Sequence, residues 1–210
     1  AFDSLWANDQ VLGTRDFVDN KPVSFDMHPH GTMVLSTIVG NDPGELIGTA
    51  PKAEFWLLRT EDGGSEYLIE EYNWVSGAEF ADSVGVDIIN SSLGYYDFWD
   101  DSQDHLYEDL DGNTTPVTIG ADIAASRGIA VCNSAGNEGD DPWKKLIAPS
   151  DGDSVICVGA VDENRTIANF SSLGPSADGR IKPDVAAMGS GVYAAWPDGG
   201  YTYTGGTSFS

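Results

Sequence analysis

The stretch Asn133-Ser134-Ala135-Gly136-Asn137-Glu138-Gly139 lies between two shorter motifs, His30-Gly31-Thr32 upstream and Gly206-Thr207-Ser208 downstream. Serine becomes an effective nucleophile when a neighbouring base takes its proton, and histidine is the usual base because its ordinary pKa lies near neutrality. An asparagine amide can donate a hydrogen bond to the oxyanion of a tetrahedral intermediate. The order of these segments therefore indicates acyl-transfer chemistry.

We predict that His30 is the base, Ser208 the nucleophile and Asn137 the oxyanion donor. Each residue also has an ordinary structural interpretation. Ser208 could belong to a glycine-rich turn, and Asn137 could be a left-handed turn residue between glycines. His30 and His28 could also form a two-ligand metal pair, but no cysteine-rich or further histidine partner supports one, so we assign no metal ligand.

The three segments, together with four others, resemble the subtilisin-like serine peptidases, whose triad follows the chain order Asp, His, Ser. The four other segments are residues 48–51 (GTAP), 87–94 (DIINSSLG), 170–175 (FSSLGP) and 178–185 (DGRIKPDV). The resemblance extends over nearly the whole chain. It implies an α/β, three-layer fold with a mostly parallel central sheet flanked by helices.

In that family the triad Asp ends a buried apolar strand and is followed by Ser or Thr and then Gly. The aspartates before His30 that fail this pattern are Asp3, Asp16, Asp19 and Asp26. We therefore expect the orienting Asp to precede Ala1, and the helix that carries the nucleophile to continue beyond Ser210. On this interpretation residues 1–210 are one partial peptidase domain, truncated at both ends and inactive when expressed alone.

The resemblance also predicts the walls of the substrate cleft. Ser92-Leu93-Gly94 ends a predicted strand and would line one side of the cleft. Ser134-Ala135-Gly136 would form the opposite wall of the pocket for the residue before the cut. An extended polypeptide could bind along 92–94 as an added strand, and such pairing depends on the main chain more than on side chains. Residues 138–153 match the family poorly, so the sequence leaves cleavage specificity open.

The composition suits one globular domain, because 40% of the 210 residues are hydrophobic. The net charge of −24 argues against nucleic acid and anionic membrane surfaces, which require Lys and Arg. No apolar stretch approaches the ~20 residues of a membrane helix. We expect a monomer that acts on polypeptides without a required cofactor. The resemblance implies an extracellular or cell-envelope location.

The segment 97–111 is strongly acidic and contains no Lys or Arg. Its carboxylates are those of Asp97, Asp100, Asp101, Asp104, Glu108, Asp109 and Asp111. A calcium loop and a solvated surface loop are both compatible with this composition. We favour the surface loop, because Gly120 stands where a calcium loop starting at Asp109 would need a bidentate Glu. A structural calcium therefore stays possible but is not assigned.

Cys132 and Cys157 lie in two apolar runs that are predicted to be neighbouring strands. Buried free thiols are the favoured interpretation, since unpaired cysteine packs as a small apolar side chain. A disulfide would require the two side chains to face each other correctly. We also expect Ala148-Pro149 to be a cis peptide bond, by resemblance to the family.

The remaining pattern alternates strands with helices, which predicts a parallel sheet covered by helices. Predicted helices are 30–39, 65–84 and 116–127. Predicted strands are 15–19, 53–60, 86–90, 129–133, 154–161, 168–171, 184–187, 192–196 and 201–204. The leading hypothesis is a serine endopeptidase. The alternatives are a catalytically inactive binding domain on the same fold and, on the acidic segment alone, a calcium-binding module.

Overall fold

The computed structural model describes residues 1–21 and 28–210, so Asp26 lies outside the described residues. The helices are α1 (Asp3–Ala7), α2 (Pro29–Val39), α3 (Ile69–Val84) and α4 (Pro116–Ser126). The first five strands are β1 (Val11–Asp16), β2 (Asn41–Asp42), β3 (Leu46–Ile47), β4 (Phe55–Arg59) and β5 (Ile88–Ser91). The others are β6 (Ala130–Ser134), β7 (Ile156–Val161), β8 (Val185–Met188), β9 (Ser190–Ala195) and β10 (Tyr201–Gly205).

Parallel strands form the framework of the molecule, which confirms the expected α/β class. Strands β5, β6, β7 and β8 pair side by side in that order, and all three pairings are parallel. Strand β1 pairs in parallel with β4 as a separate two-stranded sheet. Among the described residues β4 and β5 are not paired, so the parallel strands are divided between two sheets. The pairs β9–β10 and β2–β3 are antiparallel.

Helices α2 and α4 begin and end where their sequences predict. Pro29 occupies the first turn of α2, and Gly40 is its C-cap. Thr115 caps α4 by accepting a hydrogen bond from the Thr118 N–H at 3.4 Å. Proline fits the first turn because its missing N–H is not needed there. Both helices are therefore set by local sequence.

Helix α3 differs from its prediction at the start. It begins at Ile69, whereas the sequence predicts a start at residue 65. The Glu70 carboxylate accepts hydrogen bonds from the backbone N–H groups of Asp62 and Tyr67, at 2.8 and 3.1 Å. The Glu70 side chain thus satisfies two backbone donors in the segment before the helix. That segment forms a turn, and the helix begins after the predicted start.

The spacing i, i+4, i+7 of Leu68, Tyr72 and Val75 predicts that they share the buried face of this helix, and Leu68 and Val75 do pack against the core. Tyr72 is exposed. The residues that α3 buries are Glu70, Glu71, Trp74, Gly77, Ala78 and Ala81. Glu71 is fully buried because its carboxylate accepts the Val117 N–H at 3.1 Å and pairs with the His105 ring. Burying a carboxylate is tolerated where it is hydrogen-bonded.

Cys132 and Cys157 are free thiols on neighbouring strands, as predicted. In the β6–β7 register Cys132 lies opposite Ile156, whereas Cys157 lies opposite Asn133. Successive side chains of a strand point to opposite faces of the sheet. The two thiols therefore lie on opposite faces and cannot form a disulfide in this register.

Two predicted strands differ from the structure. The segment 168–171 forms a turn, in which the Ser171 N–H donates to the Ala168 carbonyl at 2.9 Å. The strand expected at 15–19 occupies Val11–Asp16 instead, and the chain leaves it where the Asp16 carboxylate accepts two backbone N–H groups. The expected cis bond at Ala148-Pro149 is present.

Replacing Glu71 by alanine should lower the unfolding free energy by about 3 kcal/mol or more, because it leaves the Val117 N–H and His105 without their buried partner. Glu79→Ala is the matched control, since Glu79 is exposed on the same helix. Urea denaturation of both variants measures the difference. Equal destabilisation by the two substitutions would show that the buried pair contributes nothing specific.

Candidate active site

Ser208 lies at the carboxyl ends of the parallel strands. It belongs to the short 3-10 turn Thr207–Phe209 that follows β10. The Ser92 hydroxyl, just beyond the end of β5, donates to the Ser208 carbonyl at 2.8 Å. The Ser208 Oγ is 3.5 Å from the Ser92 carbonyl oxygen. Open α/β sheets place their ligand sites at this edge, so the position of Ser208 suits a reacting group.

Thr207 joins this turn to the loop that carries Asn137. Its backbone N–H donates to Asn137 Oδ1 at 2.8 Å. Its hydroxyl donates to the Gly136 carbonyl at 3.1 Å and accepts from the Gly136 N–H at 3.2 Å. Because Oδ1 is the end that Thr207 holds, the Nδ2 group of Asn137 is left without a hydrogen-bond partner among the described residues. That group is therefore available as a donor to a ligand.

Gly136 must be glycine for two reasons. Its φ of 108° lies in the region that side chains rarely adopt. A Cβ here would also lie 2.6 Å from Ser172 Oγ, which donates to the Glu138 carboxylate at 2.8 Å. Burial raises the pKa of Glu138. The loop between β6 and Asn137 is therefore tightly packed.

His30 occupies the first turn of α2, and its backbone N–H donates to Nδ1 of the capping His28 at 3.2 Å. The His30 ring meets the Phe209 ring edge-on, with 6.1 Å between centroids. Burial lowers the pKa of His30, and the charge of His28 lowers it further. The imidazole is therefore held in the neutral form that a general base requires.

The structure brings the three predicted catalytic residues to one region without joining them all. Asn137 contacts Thr207, and His30 contacts Phe209, the two residues that flank Ser208. Among the described residues, no hydrogen bond joins His30 to Ser208. The sequence motifs assigned no role to Thr207. Its position directly before the predicted nucleophile was the signal that could have identified it as a site residue.

Two described aspartates near the start of the chain, Asp16 and Asp19, are engaged elsewhere. The buried Asp16 carboxylate accepts from Arg59 Nη1 at 2.9 Å and from the N–H groups of Val18 and Asp19. Burial alone would raise the pKa of Asp16, but these hydrogen bonds and the Arg59 charge bring it below its ordinary value. Asp19 forms ion pairs with Lys21 and Arg59. Neither these carboxylates nor that of Asp3 hydrogen-bonds to His30.

The two predicted cleft walls lie next to each other. Residues of both segments, together with Thr207 and Ser208, line a small cavity of about 30 Å³; the wall residues among them are Ser92 and Ser134. Leu93 belongs to the same site through its carbonyl, which accepts a hydrogen bond from Asn133 Nδ2 at 3.0 Å.

The poorly matching segment 138–153 packs beside these walls. Tyr95 and Ala148 exchange backbone hydrogen bonds of 2.9 and 3.1 Å, and the Tyr96 and Trp143 rings stack at 4.6 Å. Tyr95 directly follows Gly94 of the first wall. Residues of this segment, which the sequence did not identify as site residues, therefore border the predicted pocket.

The carboxylates that lie close enough together to share a cation are outside the segment 97–111. Within the described residues the carboxylates of Glu61, Glu66 and Glu70 form the one such group. Burial raises the pKa of both Glu61 and Glu66 to about 7, and mutual repulsion adds to this. In the segment 97–111, carboxylates instead accept hydrogen bonds from nearby backbone N–H groups, as Asp100 does from Ser102 and Asp109 from Leu106. A solvated surface loop stays the favoured prediction for that segment, and calcium stays unassigned there.

We expect the His30 ring in the 210-residue chain to titrate below 6.5, because burial and the His28 charge both disfavour the protonated form. His28→Asn should raise the pKa of His30, since asparagine can still cap the helix but carries no charge. NMR titration of the His30 ring protons measures both values. A His30 pKa above 6.5 would contradict the first expectation, and an unchanged value in His28→Asn would contradict the second.

Among the described residues no helix is long and apolar enough to cross a membrane. Comparison with known proteins places the chain in a family. The model of the family described as "Subtilase family" matches residues 7–210. The chain is 32% identical over 203 residues to Subtilisin DY of Bacillus licheniformis, covering 96% of this chain and 66% of that protein. It is 31% identical to the serine protease AprX of Bacillus subtilis, covering 87% of this chain and 42% of that protein.

A solved structure described as "S41 Psychrophilic Protease" superposes with a TM-score of 0.74 at 25% identity, covering 100% of this chain and 69% of the other. The chain thus spans between about two fifths and two thirds of the length of the two curated relatives just described. The parallel sheet, the ordered motifs and the family model agree, and the chain belongs to the subtilase family.

Proposed function

We propose that the protein is a serine endopeptidase that hydrolyses peptide bonds in polypeptides. The observation that carries this proposal is the geometry around Asn137. Thr207 holds Oδ1, so that Nδ2 is free to donate next to Ser208. A preorganised donor at the position where negative charge develops is worth far more than one that must reorient during reaction.

In this mechanism the neutral His30 removes the proton from Ser208 Oγ as that oxygen attacks the peptide carbonyl carbon. The negative charge that forms on the carbonyl oxygen is stabilised by Asn137 Nδ2 and by the Ser208 N–H. His30 then gives its proton to the amine as the C–N bond breaks, which leaves an acyl group on Ser208. Water, deprotonated by His30, hydrolyses this ester and restores the serine.

His30 also needs a carboxylate that orients its ring. Asp16 is held by Arg59, and no described aspartate hydrogen-bonds to His30. Asp26 lies outside the described residues and lacks the Ser/Thr-Gly that follows the triad Asp in the family, so we propose that an aspartate preceding Ala1 has this role. Loss of such a carboxylate lowers turnover about 10⁴-fold in a serine peptidase, so we expect little activity from the 210 residues alone.

The substrate would be an extended polypeptide that pairs with residues 92–94 as an added strand. Its residue before the cut would enter a pocket between 92–94 and 134–136. Main-chain pairing gives modest selectivity for side chains. The residues bordering the pocket at 143–148 would modify that selectivity. We assign the protein no required cofactor, a monomeric state, and an extracellular or cell-envelope location.

A catalytically inactive binding domain is the second candidate. It is favoured by one observation, the absence of a hydrogen bond between His30 and Ser208 among the described residues. Catalytic hydrogen bonds are often long before substrate binds, so this geometry does not exclude the enzyme. Covalent labelling of the complete peptidase by a serine-directed phosphonate separates the two candidates.

In the complete peptidase, Asn137→Ala should lower kcat by about 10²–10³-fold and leave KM nearly unchanged, because the oxyanion exists only in the transition state. The melting temperature is measured on the same preparation. Activity that falls only in proportion to unfolded protein would contradict the assignment of Asn137.

Ser208→Ala should abolish phosphonate labelling, whereas Asn137→Ala should only slow it. Ser126→Ala is the control, because Ser126 is an exposed serine at the end of α4. This variant should be labelled at the parent rate. Labelling that persists in Ser208→Ala would place the nucleophile elsewhere. A parent that is never labelled would support the binding domain.

A further inference from the structure

We propose that Asn133 is a positioning residue that holds the two walls of the substrate cleft at a fixed spacing. Its side-chain Nδ2 donates to the Leu93 carbonyl at 3.0 Å and to the Ser134 carbonyl at 2.9 Å. One acceptor belongs to the wall 92–94 and the other to the wall 134–136. This inference rests on the proposed function, because it concerns the same cleft.

The amide of Asn133 lies where the sheet stops joining the two walls. The paired register of β5 and β6 runs from Ile88 opposite Ala130 to Ser91 opposite Asn133, and ends there. Both walls begin immediately beyond this pair. The Asn133 side chain links them one step past the last paired residues, at the point where the strands separate to admit a substrate.

The surroundings of Asn133 fix the orientation of its amide. The residue is 1% exposed, so water does not compete for its hydrogen bonds. Two carbonyl oxygens face Nδ2, and a flipped amide would place Oδ1 against both of them. Oδ1 has no hydrogen-bond partner among the described residues. The side chain therefore has one orientation, in which its only hydrogen bonds are those to the walls.

The spacing of the walls matters only to a ligand that uses both. A peptide whose residue before the cut fills the pocket contacts both walls. A peptide with glycine at that position leaves the pocket empty and pairs with 92–94 alone. The first wall is also tied to the nucleophile, since Ser92 Oγ donates to the Ser208 carbonyl. Loosening the Asn133 link should thus weaken binding of a peptide that fills the pocket more than that of one that leaves it empty.

The test measures peptide binding in the complete peptidase domain carrying Ser208→Ala, so that it does not depend on catalysis. Fluorescence anisotropy gives the Kd of fluorescein-labelled Ala-Ala-Pro-Phe and of fluorescein-labelled Ala-Ala-Pro-Gly. Asn133→Ala should weaken binding of the phenylalanine peptide about five- to tenfold and change binding of the glycine peptide less than twofold. Asn133→Asp, which leaves no cavity but places a carboxylate against two carbonyls, should act in the same direction.

Gln10 offers a matched control outside the cleft. It is also a buried amide whose Nε2 bridges two backbone carbonyls, those of Pro51 and Ala53, at 3.2 and 2.7 Å. Gln10→Ala and Gln10→Glu should lower the melting temperature as the Asn133 variants do, without changing the ratio of the two Kd values. A melting-temperature loss in folded Asn133 variants with the parent ratio would show a merely structural role and overturn the proposal.

The proposed function and this inference fail in different ways. A parent that binds Ala-Ala-Pro-Phe but is not labelled by the phosphonate refutes the peptidase and leaves the role of Asn133 measurable. A labelled parent whose Kd ratio is insensitive to Asn133→Asp refutes the positioning role alone. A Ser208→Ala domain that binds Ala-Ala-Pro-Phe no better than Ala-Ala-Pro-Gly overturns the placement of the walls, and the positioning role with it.

Discussion

The parallel pairing of β5 with β6, in which Ser91 lies opposite Asn133, determines where the candidate site can form. Parallel strands end at the same edge of a sheet, so the segments that follow β5 and β6 emerge side by side. Ser92 can then reach Ser208, and Gly136 can reach Thr207. A shift of one residue in this register would turn every side chain to the other face and separate these groups.

The two sides of the site differ in how firmly they are held. Asn137 is fixed by hydrogen bonds to Thr207, which is itself buried and bonded to Gly136. His30 instead meets the nucleophile's turn through a ring contact with Phe209. Hydrogen bonds define direction, whereas an edge-on ring contact tolerates rotation of the imidazole. The proposed oxyanion donor is therefore preorganised, whereas the proposed base would depend on a further partner for its orientation.

The sequence predicted those features whose causes are local. Helix α4 begins at Thr115-Pro116 because a cap and a proline are adjacent in the chain. The start and buried face of α3 could not be predicted, since burial of Glu70 and Glu71 depends on backbone donors at Asp62 and Val117. The same limit applies to the site. Short motifs identified candidates for chemistry, but the contacts of Thr207 and Asn133 join segments 71 and 40 positions apart.

The opposite orientation of Cys132 and Cys157 has a consequence for where such a protein can work. Pairing the thiols would require β6 and β7 to slip or separate, and that would dismantle the edge on which Ser134 and Asn137 depend. No disulfide can therefore form between these strands in an oxidising environment, and none is present to be reduced in a reducing one. The central sheet should hold the same shape on either side of a cell boundary, with its integrity independent of the thiol–disulfide balance around it.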